Sequence, residues 1–103
     1  MFMRIAWVRV RPGSWSQFEV RYAEQARTVP GLKGRWLSRD VNDPDSIYVV
    51  SLWESIELLT AWEESDYFRN VLMPGIAPLV EAGLTVSVCE VQHAQAPGMP
   101  GFA

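Results

Sequence analysis

The chain has 103 residues, 49% of them apolar and 20% charged, which excludes an intrinsically disordered chain and fits one domain with a single core. Its formal net charge of −3 excludes the basic surface on which nucleic-acid binding depends. No apolar run approaches membrane-spanning length and the N-terminus lacks a signal-peptide pattern, so we expect a cytoplasmic protein with neither nucleic-acid nor membrane partners.

The first part of the chain predicts a strand, a helix and a second strand. Residues 2–10 are rich in β-branched and aromatic side chains, and a Pro12-Gly13 turn follows them. Ser14 and Gln17 form a capping-box pattern, after which apolar residues recur at helical spacing as far as Pro30-Gly31, namely Trp15, Phe18, Tyr22, Ala26 and Val29. Residues 32–41 then predict a strand that carries Leu32, Gly34, Trp36 and Ser38 on one face.

The second part predicts a strand, a helix and a final strand. Residues 42–45 form a turn signal, and the nearly continuous apolar run 47–53 is typical of a central strand covered on both faces. Ser55 is the expected cap of a helix whose apolar side includes Leu58, Leu59 and Trp62, and Ser65-Asp66 restarts or bends it. Pro74-Gly75 and Pro78 are expected to break it, and residues 84–91 alternate as a fourth strand in which Cys89 is expected to be buried.

The order β-α-β-β-α-β predicts an α+β fold of the ferredoxin-like type, an antiparallel sheet with two helices on one face. We assign residues 1–92 to this domain and residues 93–103 to an irregular C-terminal tail, with Met99 and Phe102 as its expected anchors. Strand alternation is expected to place six apolar side chains on the other face: Ile5, Trp7, Leu37, Ile47, Val49 and Trp53. Such a face is too apolar to be left in water, so we expect a homodimer.

A resemblance to a known family centres on the third strand and the second helix. Residues 48–57 (YVVSLWESIE), then Trp62, then Ser65-Asp66-Tyr67-Phe68 follow a pattern common in the antibiotic-biosynthesis monooxygenase superfamily, and Pro30-Gly31-Leu32 also matches. The likeness covers roughly residues 2–92 as one compact unit. It implies a dimeric α+β barrel built from two antiparallel sheets, with the helices outside and a pocket between sheet and helices in each subunit.

The haem-degrading branch of that superfamily is disfavoured by two departures. Its pattern has a His, the iron ligand, four positions after the Phe, and this chain has Leu72 there. It also has an Asn in the first strand, and residues 2–10 contain none, although Trp62 does correspond to its pocket Trp. Because Leu supplies no lone pair to iron, we expect no haem activity, and no Cys/His cluster has the spacing of a metal site.

Resemblance to those members of the superfamily that oxidise phenols and quinols without a cofactor implies a pocket in which the substrate itself reacts with dioxygen. An electron-rich phenolate or enolate passes an electron to dioxygen itself, and the protein supplies an apolar cavity, an aromatic wall and a group that handles a proton. The candidate substrate-pocket residues are Trp62, Phe68, Leu72, Tyr67 and Tyr22. Of these, Tyr67 is also a candidate source of polarity, as are Arg35 and Arg39. No His or carboxylate is placed as a base, so no catalytic residue is assigned.

The preferred function is therefore that of a cofactor-independent monooxygenase or related oxidoreductase acting on a small aromatic or quinol-like metabolite. Two alternatives stay open because a fold supports many activities. One is an isomerase-type enzyme on the same barrel. The other is a non-catalytic dimeric module that only binds a small ligand, which the lack of an obvious base favours.

Overall fold

The computed structural model describes residues 1–24, 28–96 and 98, which form one antiparallel sheet with helices packed on one face. The sheet has the order β2-β3-β1-β4, where β1 is Phe2–Val10, β2 is Leu32–Arg39, β3 is Ser46–Trp53 and β4 is Val80–Glu90. The helices are α1 (Trp15–Ala23), α2 (Ile56–Glu63) and the short α3 (Met73–Ile76). A π-helical turn at Phe68–Leu72 precedes α3 and a 3-10 turn at Ala77–Leu79 follows it. The predicted α+β ferredoxin-like fold is confirmed.

Side-chain caps set two of the helical starts. The Ser55 hydroxyl accepts a hydrogen bond from the Leu58 amide at 3.2 Å, which confirms the predicted cap of α2. The Ser65 hydroxyl accepts from the Phe68 amide at 3.2 Å and donates to the Trp62 carbonyl at 2.6 Å, so it ends one helix and starts the next. Ser14, by contrast, makes no side-chain capping bond at α1, so the predicted capping box there is wrong.

Several predicted bounds need correction. Helix α1 ends at Ala23, and Val29 is buried in a non-helical segment, while Ala26 lies outside the described residues. Strand β2 ends at Arg39 and β4 begins at Val80, four residues before the start predicted at 84. Pro74 does not break the helical path because proline is tolerated in the first turn of a helix, which is its place in α3. The predicted tail anchors Met99 and Phe102 also lie outside the described residues.

The prediction of which side chains occupy the open face of the sheet is wrong for four of the six residues. Partners directly opposite each other in an antiparallel pair share a face, and β1 buries its even-numbered side chains from Arg4 to Val10 towards the helices. The register pairs Val8 with Ile47, Ala6 with Val49 and Phe2 with Trp53, and it pairs Leu37 with Val49. Ile47, Val49, Trp53 and Leu37 therefore face the helices, and only Ile5 and Trp7 lie on the open face as predicted.

The open face is apolar with different members. Ile5 pairs with Val50 and Trp7 with Tyr48, while Met3 pairs with Leu52 and Trp36 with Val50. Leu32 and Gly34 were predicted to share a strand face, but the register of β2 shifts between them, and Leu32 packs against the core. Cys89 pairs with Met3 on the edge strand β4 and is exposed, so the expectation that it is buried is wrong.

The core lies between the sheet and the helices. Its buried members include Val8, Val10, Ile47 and Trp53 from the sheet and Phe18, Leu59, Trp62, Leu72 and Ile76 from the helical side. Gly31 lets α2 approach closely, since it has φ +84° and a Cβ there would lie 2.7 Å from the Leu58 Cβ. In the described part of the chain, no helix is both long and apolar enough to span a membrane.

Candidate functional site

A cavity opens between the helix-facing side of the sheet and the helical layer. Its empty volume of about 530 Å³ includes space that is open to solvent. Its floor is formed by side chains of β1, β2 and β3, and its walls come from α1, α2, the π-helical turn, α3 and one residue of β4. The lining residues are Arg4, Ala6, Val8, Phe18, Tyr22, Arg35, Val49, Ser51, Trp62, Phe68, Leu72, Met73, Ile76 and Leu84.

Trp62 is the centre of an aromatic wall. Its ring centroid lies 5.7 Å from that of Phe68 in an edge-on arrangement, 5.9 Å from that of Tyr67 and 6.5 Å from that of Trp53. These separations are those of favourable aromatic pairs. Trp62 occupies the last turn of α2 and Phe68 follows the turn capped by Ser65, so this short break between helices is what brings the two rings together.

The structure brings four of the five candidate pocket residues to this cavity. Trp62, Phe68, Leu72 and Tyr22 all line it. Tyr67 does not line it; it packs against Trp62 and lines two neighbouring surface grooves instead. A substrate role for any of these residues stays a prediction.

Two arginines contribute to the floor of the cavity. Arg4 is only 8% exposed, its Nε donates to Glu63 Oε2 at 2.9 Å, and its guanidinium carbon lies 5.7 Å from the Phe68 ring centroid. Arg35 lies on β2 with its guanidinium carbon 5.5 Å from the Trp62 ring centroid and its Nη2 atom buried. Two guanidinium groups therefore lie beside one cavity, and the Glu63 carboxylate offsets the positive charge of one of them.

Arg39, the other arginine proposed as a source of polarity, lies elsewhere. Its guanidinium carbon is 4.9 Å from the Trp15 ring centroid and its Nε donates to the Pro44 carbonyl at 2.6 Å. It does not line the cavity. Arg35 and Arg39 share a face of β2, but only Arg35 lines the cavity.

Tyr22 is a phenol held in its protonated form. Burial raises the pKa of Tyr22 to about 12, and the positive charges of Arg35 and Arg4 oppose that shift. At neutral pH its hydroxyl therefore acts as a hydrogen-bond donor or a neutral acceptor, and it is not a base. Both arginines line the same cavity as the phenol.

Sequence reasoning missed Arg4 and Ser51. Arg4 interrupts the apolar face Ala6, Val8 and Val10 of β1, and a charged side chain on a buried strand face is a signal that could have identified it. Ser51 carried no such signal because it lies within the apolar run of β3. It is only 5% exposed, and its hydroxyl accepts a hydrogen bond from Trp53 Nε1 at 2.9 Å.

Neither a histidine nor a carboxylate is found among the described residues that line the cavity. In the same described ranges, no group of three or more His, Cys, Asp or Glu side chains is placed to hold a metal ion. The polar groups on the cavity side are thus Arg4, Arg35, Tyr22 and Ser51. All four carry hydrogen-bond donors, and the two arginines carry no acceptor.

Comparison with known proteins gives a consistent result. A family model described as antibiotic biosynthesis monooxygenase matches residues 1–72, from β1 to the end of the π-helical turn. No curated protein matches the chain in sequence.

Solved structures match over most of the chain. A proposed antibiotic biosynthesis monooxygenase of Caulobacter crescentus superimposes with a TM-score of 0.82 at 19% identity, covering 89% of this chain and 90% of its own. One from Nitrosomonas europaea gives a TM-score of 0.80 at 14% identity over 90% of this chain and 100% of its own. A conserved protein of Methanosarcina mazei gives 0.77 at 14% identity over 85% and 89% of the two chains. At these identities the structures establish a shared fold.

Proposed function

The chain belongs to the antibiotic biosynthesis monooxygenase family, and from that premise we propose that it is a cofactor-independent monooxygenase acting on a small aromatic or quinol-like metabolite. The observation that carries this proposal is the cavity walled by Trp62 and Phe68, with Arg4, Arg35 and Tyr22 as its polar groups. Flat aromatic walls suit a flat aromatic ligand, because rings stack or pack edge-on at these distances.

The proposed reaction places few demands on the protein. A ring carbon that loses a proton next to a carbonyl gives an enolate, and the enolate passes one electron to dioxygen. The two radicals combine to a peroxide, which loses water and leaves a new carbonyl. A CH2 group and O2 thus become C=O and H2O, so the balance needs no external reductant. The apolar cavity excludes water from the charged species, and cationic side chains stabilise its negative charge.

A test of the proposal is oxygen uptake with anthrone-like and naphthoquinol substrates. The purified protein is expected to consume oxygen faster than buffer, with one oxygen molecule per carbonyl formed from an anthrone. Trp62→Phe, which narrows the aromatic wall, is expected to lower the rate, whereas Trp15→Phe outside the cavity is the matched control. No uptake above buffer with any substrate, or equal rates for both variants and the parent, would contradict the proposal.

The second candidate is a module that binds a small ligand without transforming it. The described lining residues include neither histidine nor carboxylate, and this observation favours the binding module over chemistry that requires a protein base. The oxygen assay separates the two candidates when binding is measured in parallel. Saturable binding of a naphthoquinol without oxygen uptake identifies the binding module.

We expect no haem to bind in this cavity. Leu72 is buried at its wall, where the haem-degrading pattern has its iron-ligating His. Titration with haemin is expected to give no stoichiometric Soret shift to an axially ligated form. A tight, axially ligated complex would show that another side chain serves as the ligand.

We also propose that the chain works as a cytoplasmic homodimer joined through the open face of the sheet. That face carries Ile5, Trp7, Val50, Trp36 and Tyr48, and the last two are 37% and 39% exposed. Burying such a patch against its own copy removes large apolar surfaces from water. Light scattering during size-exclusion chromatography tests this proposal, since a stable monomer at micromolar concentration would contradict it.

A further inference from the structure

Two cavity arginines lie in a single cross-strand row of the sheet. On β3, Ser51 is paired with Arg35 of β2 on one side and with Arg4 of β1 on the other. Directly opposed side chains share a face, so all three point towards the helices and line the same cavity. Neighbouring strands lie about 4.8 Å apart, so the two arginine backbones are separated by only about 10 Å.

The two guanidinium groups are anchored by different aromatic rings of the same wall. Arg4 is placed by Phe68 and by its ion pair with Glu63, and Arg35 is placed by Trp62. The Glu63 carboxylate accepts a hydrogen bond from the Nε of Arg4. Within residues 1–24, 28–96 and 98, no hydrogen bond is found from the two terminal nitrogens of Arg4. These nitrogens are strong, charge-assisted donors for an anion that enters the cavity.

The remaining polar groups of the cavity also suit an anionic ligand. Tyr22 keeps its proton at neutral pH, and both arginines lie close enough to influence it. The Ser51 oxygen accepts a hydrogen bond from the Trp53 indole, and the same hydroxyl can also donate its hydrogen to an acceptor on a ligand. An anion would meet hydrogen-bond donors from three strands and one helix, and it would be attracted by the positive charge of both arginines, which a neutral ligand would not be.

We infer that Arg4, Arg35 and Ser51 form an anion-binding row, and that the cavity binds an aromatic ligand in its ionised form, with the phenolate or enolate oxygen between the two guanidinium groups. This inference rests on the proposed pocket and deepens it. A site that binds the anion directly lowers the pKa of a bound phenol, so solvent takes the proton and a protein base is not needed. The row thus accounts for reactive chemistry in a cavity without histidine or carboxylate.

The competing explanation is that both arginines only stabilise the fold. Arg4 would then serve its ion pair with Glu63, and Arg35 its contact with Trp62. Under this explanation, replacing either arginine alters stability but leaves the preference between an ionised ligand and its neutral counterpart unchanged. Ligand ionisation therefore separates the two explanations, because a purely structural residue does not move it.

The probe is 4-nitro-1-naphthol, whose phenolate absorbs in the visible, together with its methyl ether, which cannot ionise. Binding of both is measured by titration in low salt under anaerobic conditions, so that no turnover is required. The parent protein is expected to bind the naphtholate at least about tenfold more tightly than the ether, which lowers the pKa of the bound naphthol by about one unit or more. The charged and titratable groups that line the cavity are Arg4, Arg35 and Tyr22, and Glu63 lies behind Arg4 as its ion-pair partner.

Two variants and one control make the test specific. Arg35→Gln is expected to weaken naphtholate binding about tenfold and to leave ether binding unchanged. Arg4→Gln combined with Glu63→Gln removes the ion pair without leaving an uncompensated carboxylate, and it is expected to reduce the same preference. Arg39→Gln is the matched control, since Arg39 lies on the same strand face over a Trp ring but outside the cavity.

Three outcomes would overturn the inference: equal affinity of the parent protein for the naphtholate and the ether, no naphtholate binding up to millimolar concentration, or an unchanged preference in both cavity variants. The outcome is independent of catalysis. Naphtholate binding without oxygen uptake supports the anion-binding row and refutes the oxygenase proposal, whereas oxygen uptake with no preference for the anion does the reverse.

Discussion

The replacement Trp62→Ala tests how far the aromatic wall of the cavity is also part of the core. The Trp62 side chain is 9% exposed, and its ring contacts three other aromatic rings at centroid distances of 5.7, 5.9 and 6.5 Å. Truncating a buried Trp or Phe to Ala typically costs about 3–5 kcal/mol, because transfer energy is lost and a void remains. Each aromatic pair contributes about 0.5–1.5 kcal/mol of that total.

Since domains of this size unfold with about 5–15 kcal/mol, such a loss brings the variant close to unfolding. We therefore expect a decrease of about 3–5 kcal/mol in the free energy of unfolding for Trp62→Ala and a much smaller decrease for Trp62→Phe, which retains most of the ring contacts. The measurement is urea denaturation followed by circular dichroism at fixed protein concentration.

Trp36→Ala is the control, because Trp36 is 37% exposed on the open face of the sheet. It is expected to cost less, and any share that comes from a dimer interface will depend on protein concentration. A loss below about 1 kcal/mol for Trp62→Ala would refute the reasoning, since it would show that the aromatic wall contributes little to packing.

Three further predictions address the backbone and one buried phenol. Gly31→Ala is expected to lower the free energy of unfolding by about 2 kcal/mol or more, because Gly31 has φ +84° and an added Cβ would meet Leu58. Gly83→Ala is the control in the same thermal melts, since a Cβ there would meet nothing within 4 Å. Equal melting temperatures of the two variants would contradict this prediction. Ser55→Ala is expected to cost about 1 kcal/mol through loss of its cap, and Ser14→Ala much less because Ser14 makes no capping bond, so equal losses in denaturation would be inconsistent with the assigned caps. Tyr22 has a pKa raised from 10.0 to about 12, so between these values the unfolded chain releases a proton that the folded chain keeps, and the stability that Tyr22 contributes is lost as the pH rises through this window. The difference in ultraviolet titration between the parent and Tyr22→Phe measures it, and ionisation of Tyr22 near pH 10 would contradict the buried placement.

The strength of each local signal decided how well the sequence predicted the elements. The cap at Ser55 and the strand at residues 2–10 were predicted correctly, because a capping hydroxyl and a turn after β-branched residues act within a few positions. The capping box at Ser14 and the extension of α1 towards Val29 were wrong. Val29 has the spacing of a helical residue, but it lies in a non-helical segment and is buried because that segment packs against the core.

The candidate site was also predicted only in part from the sequence. Trp62, Phe68 and Leu72 were proposed for the pocket from a resemblance and from their spacing, and they do lie side by side in one cavity. Arg4 was not predicted as a site residue, although it is a charged residue on a buried strand face. Its meaning depends on Arg35 and Ser51, which lie far from it in the chain and reach it only through strand pairing.

The sequence by itself determined the order of the elements, the antiparallel α+β fold and the resemblance to the family, because these depend on local propensity and on patterns within short stretches. Only the tertiary structure decided which face of each strand meets the helices. Nearly every position of β3 is apolar, so its sequence does not show which alternate residues face the core. The side to which Ile47, Val49 and Trp53 point is fixed by their pairing with β1. That same pairing turns two arginines and a serine into neighbours at the floor of the cavity.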